Sequence, residues 1–162
     1  MNKKLALTAS LAAALVLLPL AAIAQTKTEG DKAVRHITGR TLDAELKKGM
    51  TADAFFSQII ITQAPAYRVI NTTRDKPGEA EIHDAMTDHI FVQEGEATFV
   101  TGGSIAGSKV TAPGEHRGKS ITGGTNRPMR AGDYFLIPAG TAHQMLVEPG
   151  KRIKFIAFKT AK

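Results

Sequence analysis

Cysteine is absent from the 162 residues. That excludes disulfides, thiolate metal sites and cysteine nucleophiles, so the fold must be held by its core alone. Any metal would have to be held by His, Asp and Glu, a donor set that suits manganese, iron, zinc, nickel or copper without choosing among them. The sequence also lacks a nucleophile elbow, a phosphate loop and a dinucleotide fingerprint, which leaves hydrolase and nucleotide-binding readings without a motif. The formal charge is +6, yet the basic residues are scattered, with loose groupings only at Lys47-Lys48 and Lys151-Arg152-Lys154. With no basic helix and no basic-aromatic stripe, nucleic acid is not an expected partner.

The start of the chain reads as an address rather than as fold. Asn2, Lys3 and Lys4 precede an apolar run from Leu11 to Ala24, and Ala22-Ile23-Ala24 supplies the small residues of a cleavage site. This is the pattern of a secretory signal peptide. Spanning a bilayer takes about 18 or more apolar residues, and Pro19 interrupts this run, so export is expected in place of a membrane anchor. The expected layout is a signal peptide over residues 1–24, a flexible polar arm over 25–40, and one barrel domain with an N-terminal helix over 41–162. The mature protein is expected to be periplasmic or secreted, with no stable membrane anchor after cleavage and with a homodimer left open.

Past the arm, Thr41 to Gly49 predicts a short helix, with Thr41 as N-cap and Lys47, Lys48 and Gly49 closing it. Thr51 is expected to cap a second turn through Phe55 and Phe56. From Ile59 the pattern changes to strands: Ile59 to Thr62, Tyr67 to Thr73, and Ala80 to His83 after Pro77-Gly78. His89 to Gln93 and Ala97 to Thr101 are expected to form a hairpin around Gly95. Residues 104–128, rich in Gly, Ser, Thr and Lys, read as a long irregular loop with one strand at Ser120 to Thr122. Tyr134 to Ile137, Gln144 to Val147 and Arg152 to Lys159 complete the set. Short strands, glycine turns and little helix point to an all-β barrel or sandwich.

Chemistry concentrates at two places. Glu81 and His83 are two apart on a strand and so share a face, and Asp88 follows after room for a turn that would return the chain as a neighbouring strand beside His83. The second place is Gly132-Asp133-Tyr134-Phe135-Leu136-Ile137-Pro138-Ala139-Gly140-Thr141-Ala142-His143, a short strand, a tight turn and one histidine aimed by the backbone. The two segments resemble the motifs of the cupin superfamily. Gly132, Pro138, Gly140 and His143 match that family's second motif (Gly, five residues, Pro-x-Gly, two residues, His), except that Val147 stands where an asparagine often closes it. The first motif matches in spacing: Glu81 stands at the first histidine, His83 at the second, Asp88 at the glutamate and Gly95 at the closing glycine, while Asp75 replaces the leading one. The resemblance runs from about Tyr67 to Phe158. It implies a double-stranded β-helix (jelly-roll) barrel with His83, His143 and Asp88 as two imidazoles and a carboxylate around a divalent metal, and Glu81 as a fourth ligand or a base. A carboxylate in place of an imidazole raises the negative charge around the ion, which favours harder cations.

The remaining histidines are expected elsewhere. His89, one residue past Asp88, faces the opposite way and is read as packed or at an interface; His116 and His36 have no assignable partner and are read as solvated. Met145, Val147, Ile90 and Val92 alternate with the candidate ligands and would line an apolar pocket wall or simply the core. Three functional readings follow. The first is an exported metal-dependent cupin acting on a small organic substrate, of oxygenase, isomerase or decarboxylase type. The second is a non-catalytic barrel that binds a small molecule or a metal. The third is a degenerate barrel without metal, its histidines serving as polar plugs.

Overall fold

The computed structural model describes residues 34–162; the expected signal peptide and most of the expected arm lie outside the described residues. The helix α1 (Gly39–Gly49) begins two residues before the position expected from the sequence, because Thr38 and not Thr41 is the N-cap: the Thr38 hydroxyl accepts from the Thr41 backbone N–H at 3.2 Å. Helical structure thus enters the last two positions of the expected arm. α1 buries Leu46 against the barrel and is tied to it by the Asp43–Lys154 ion pair. The second capped turn ends at Ala54, and Phe56 already opens the first strand. Among the described residues no helix is long and apolar enough to cross a membrane.

Twelve strands follow: β1 (Phe56–Ala64), β2 (Tyr67–Arg74), β3 (Ala80–His83), β4 (Met86–Thr101), β5 (Ser104–Ala106), β6 (Lys109–Ala112), β7 (Glu115–Gly118), β8 (Ser120–Thr122), β9 (Thr125–Arg130), β10 (Tyr134–Ile137), β11 (His143–Leu146) and β12 (Ile153–Ala161). Among them β5 and β8 pair only with each other as a separate ribbon, and the other ten pair antiparallel into two facing halves that share β4. In one, the order is β1-β2-β12-β4-β10; in the other, β9-β4-β11-β3-β7-β6. The core between them holds Ile70, Ile90, Val92, Phe99, Met145 and Phe155, with Ile153 and Met129 fully enclosed. The fold is an all-β jelly-roll barrel with one short helix, as expected.

Two sequence expectations fail here. The hairpin around Gly95 does not exist; β4 runs straight through it and passes from one half of the barrel to the other. A bulge opposite Lys154 and Phe155 adds one residue to β4, and the inward set switches from Asp88, Ile90 and Val92 before it to Ala97 and Phe99 after it. A one-residue register change flips every later side chain, so the broken alternation imitates two strands. Gly95 has φ +75°, and a Cβ there would lie 1.9 Å from the Arg152 carbonyl oxygen, so glycine alone fits. The irregular loop is also structured: residues 104–128 hold β5 to β8 and the start of β9, joined by positive-φ glycine turns at Gly107, Gly114 and Gly123. Pro128 is accommodated because β9 pairs only with β4 and is an edge strand.

Candidate metal centre

The side chains that matter meet as cross-strand partners. On β3, Glu81 lies opposite His143 of β11 on one side and opposite Arg117 of β7 on the other, and His83 lies opposite Glu115 of β7. On the facing half, Asp88 of β4 lies opposite Lys159 of β12. Asp88 therefore reaches His83 across the barrel interior. The expected neighbouring pair β3–β4 is not formed, because β3 is flanked by β11 and β7.

His143 follows the Pro138–Gly140 turn, and that turn is pinned to the other histidine's strand. The Gly140 N–H donates to the His83 carbonyl at 2.8 Å, with Gly140 at φ +80°, a conformation glycine adopts without strain. The rings of His83 and His143 are 5.3 Å apart between centroids. His143 Nε2 is 3.3 Å from Glu81 Oε1 and 3.8 Å from Asp88 Oδ2. His83 Nε2 is 3.8 Å from Glu81 Oε2 and 3.6 Å from Asp88 Oδ2. Glu81, His83 and His143 each present one donor atom within 4.8 Å of the others. Asp88 touches both histidines but is not part of that tightest set. Of the four residues singled out in the sequence, the fold brings all four together, His83, His143 and Asp88 buried and Glu81 half-buried.

The tautomers follow from the outer partners. His83 Nδ1 is 2.8 Å from Glu115 Oε2 and His143 Nδ1 is 3.0 Å from the Thr141 carbonyl. A carboxylate and a carbonyl only accept, so each Nδ1 carries the proton and each Nε2 turns a lone pair inward. His143 Nε2 is buried and makes no directed hydrogen bond among the described residues, although Glu81 Oε1 lies close. Two acceptors facing each other this closely repel unless a cation or a proton sits between them.

Arg117 Nη2 bridges Glu81 Oε2 at 3.0 Å and Glu115 Oε2 at 3.1 Å. Burial acts to raise the Glu81 carboxyl, but a proton placed on His143 beside it, together with the charges of Arg117 and Lys159, outweighs burial and holds it well below the usual carboxylate range. Burial, reinforced by the Lys159 charge, lowers the His83 imidazole against the pull of Asp88, Glu81 and Glu115. The cluster opens on a cavity of about 740 Å³ that also takes in Arg68, Arg74 and the apolar faces of Phe55, Ile90, Phe99 and Met145. Arg74 lies under the rings of Phe55 and Phe56, with Nε and Nη1 buried and, among the described residues, without a hydrogen-bond acceptor. A wider depression of about 930 Å³ lies beside the β5–β8 ribbon and contains none of the four candidate ligands.

The other histidines divide. His89 faces outward, bonded to the Tyr134 hydroxyl at 2.6 Å, as its parity predicts. His116 is not solvated and partnerless: its Nε2 pairs with Asp84 Oδ2 at 3.0 Å, on the face of β7 opposite Glu115 and Arg117. Sequence reasoning missed Glu115, Arg117 and Lys159. The first two lay in a segment read as loop. Lys159 carried a legible signal: Ile153, Phe155 and Ala157 set an inward alternation on β12, and the next inward position is a lysine.

No family model matches the sequence, and no curated protein matches it. Solved structures do. An uncharacterized conserved protein with a double-stranded β-helix domain from Klebsiella pneumoniae subsp. pneumoniae MGH 78578 superposes with a TM-score of 0.56 at 13% identity, covering 79% of this chain and 90% of that one. A recombinant oxalate oxidase in complex with glycolate superposes with a TM-score of 0.50 at 16% identity, covering 72% of this chain and 57% of that one, so this chain spans little over half of that enzyme's length. A cupin 2 conserved barrel domain protein from Rhodopseudomonas palustris gives 0.47 at 19% identity, covering 70% of this chain and 68% of that one. The fold shared with these solved structures is the double-stranded β-helix, and in this chain the Gly132–His143 segment is seated on it.

Proposed function

We propose that the barrel is a divalent-metal site serving a small organic substrate, in a protein exported to the periplasm or beyond. One observation carries the metal: both imidazoles have their Nδ1 protons committed outward, and the inward Nε2 of His143 is buried without a partner, facing a carboxylate. In this reading His83, His143 and Glu81 hold the ion, with Asp88 as the further carboxylate. A bound ion would supply Lewis acidity to a substrate oxygen. The depressed Glu81 carboxyl suits a ligand better than a general base, whose pKa should lie nearer the working pH.

Arg74 supports an anionic substrate. Its buried Nε and Nη1 lack an acceptor among the described residues, and a buried unsatisfied donor costs about 1–3 kcal/mol, which a bound carboxylate would relieve. The second reading is a barrel without metal. Lys159 favours it, since its ammonium already bridges His83 and Asp88.

The test is metal binding by calorimetry and metal content, for wild type, His83→Ala, His143→Ala and His89→Ala, with manganese, iron, nickel, copper and zinc. Loss in the first two variants and retention in His89→Ala is expected. Equal binding in all four proteins defeats the metal reading. Turnover of small organic acids by the loaded protein then separates an enzyme from a binding module.

A further inference from the structure

Lys159 lies opposite Asp88 in the β4–β12 register, with its side chain only 16% exposed. Its Nζ is 2.7 Å from Asp88 Oδ2 and 2.7 Å from His83 Nε2. Because Glu115 holds the Nδ1 proton of His83, Nε2 can only accept, and the ammonium is the donor. Both atoms that the ammonium holds are ones that the proposed metal site would use. An ion at roughly 2.0–2.1 Å from that nitrogen would fall on top of the ammonium, and the two cations repel. We propose that Lys159 is a resident cation of the site: it occupies the metal position in the metal-free barrel and must swing away before an ion reaches His83. Metal uptake is then an exchange of one cation for another, and Lys159 sets how tightly the site binds.

This inference rests on the metal reading of the same cluster. Three features support it. The first is the need for charge inside: Asp88 is buried, its Oδ1 has no partner among the described residues, and an uncompensated buried carboxylate is strongly destabilising. The second is room to move, since Lys159 lines the cavity that opens over the cluster, and its flexible stem can carry the ammonium into that space. The third is economy of attachment: among the described residues, the Lys159 ammonium holds only these two groups, so an ion that takes both releases it completely.

The experiment compares wild type with Lys159→Met, which keeps the apolar stem and removes the charge. Zinc and manganese affinities are measured by calorimetry, and melting temperatures are measured with and without zinc. The expected result is about 10- to 100-fold tighter binding in Lys159→Met, the scale of losing one ammonium's charge-assisted hydrogen bonds, with a lower metal-free melting temperature and a larger rise on adding zinc. Binding by Lys159→Met alone, with none detectable in wild type, supports the inference equally. A second measurement needs no variant: acetic anhydride modification of Lys159 in wild type, read by peptide mass spectrometry, is expected to accelerate severalfold when zinc is added. Equal affinities in the two proteins, weaker binding in Lys159→Met, or a modification rate that zinc leaves unchanged or slows overturns the inference and leaves the metal reading standing. If neither protein binds any ion, both fall together.

Discussion

Glu115 offers the sharpest test of how the site is built, because it touches the cluster only through other residues. Its Oε2 is 2.8 Å from His83 Nδ1 and 3.1 Å from Arg117 Nη2, and Arg117 in turn is 3.0 Å from Glu81 Oε2. Replacing Glu115 by Ala acts twice in one direction. It frees His83 to take the other tautomer, with the proton on the inward Nε2, and it lets Arg117 turn wholly to Glu81, pulling that carboxylate away from an ion. Loss of a ligand's outer partner typically costs about 10- to 100-fold in metal affinity, which is about 1.4–2.7 kcal/mol. The Glu115 side chain is 30% exposed, so water replaces part of what is lost, and the lower end, about tenfold, is expected for Glu115→Ala. Glu115→Gln, which keeps an acceptor but not the charge, should lie between wild type and Ala. The assay is calorimetric titration with zinc on metal-free protein, alongside circular dichroism to verify folding. A folded Glu115→Ala protein with wild-type affinity would refute both the tautomer assignment and the placement of His83 in the metal shell.

Further outcomes are expected. Gly140→Val should cost roughly 1–3 kcal/mol from its φ alone, since a Cβ there meets nothing within 4 Å; Gly95→Ala should cost more, because its Cβ would also strike the Arg152 carbonyl, and chemical denaturation that ranks them in the opposite order contradicts this geometry. The metal-free protein should lose stability in acid. The His83 imidazole is depressed below 6.5 in the fold, so below that pH the unfolded chain takes up the proton first and stability falls as pH drops through the lower folded value; the Glu81 contribution, present above 4.5, is lost further down. Metal affinity should decline over the same histidine range, since a protonated imidazole cannot ligate; a melting temperature that climbs as pH falls from about 7 to about 5.5 contradicts the sign. Export is tested directly by the mature N-terminus in the native host: Gln25 is expected, and an intact Met1 chain in the cytosol rules it out.

What could be read without coordinates was whatever is local. Gly132 to His143 places a strand, a turn and a histidine within one contiguous segment, so turn chemistry alone located His143, and Gly140 indeed takes a positive φ. Period-two alternation likewise put Glu81 and His83 on one face and His89 on the other. What escaped was set by partners distant in sequence. Gly95 read as a turn because a bulge and a turn both break alternation; only the Arg152 carbonyl packed against it tells them apart. β5 to β7 are three or four residues each, too short for any period to emerge, whereas Ser120 to Thr122, expected as a strand, is β8. Glu115 and Lys159 matter through their neighbours, and register across strands is not written in either segment alone.

The position of β12 governs the order of assembly. It follows every other strand of the barrel in sequence, yet it lies in the middle of its half, hydrogen-bonded to β2 on one side and to β4 on the other. A sheet whose interior strand comes last cannot be completed by earlier segments as they are synthesised. Until β12 arrives, β2 and the first part of β4 present unpaired facing edges, and such edges are sticky. Closing them demands contacts of long sequence separation, which are slow to form. The same late strand delivers Lys159, so the cluster cannot have its internal cation before the barrel shuts. A chain built this way stays open until its last strand is made, and the facing edges of β2 and β4 stay uncovered for as long as β12 is missing.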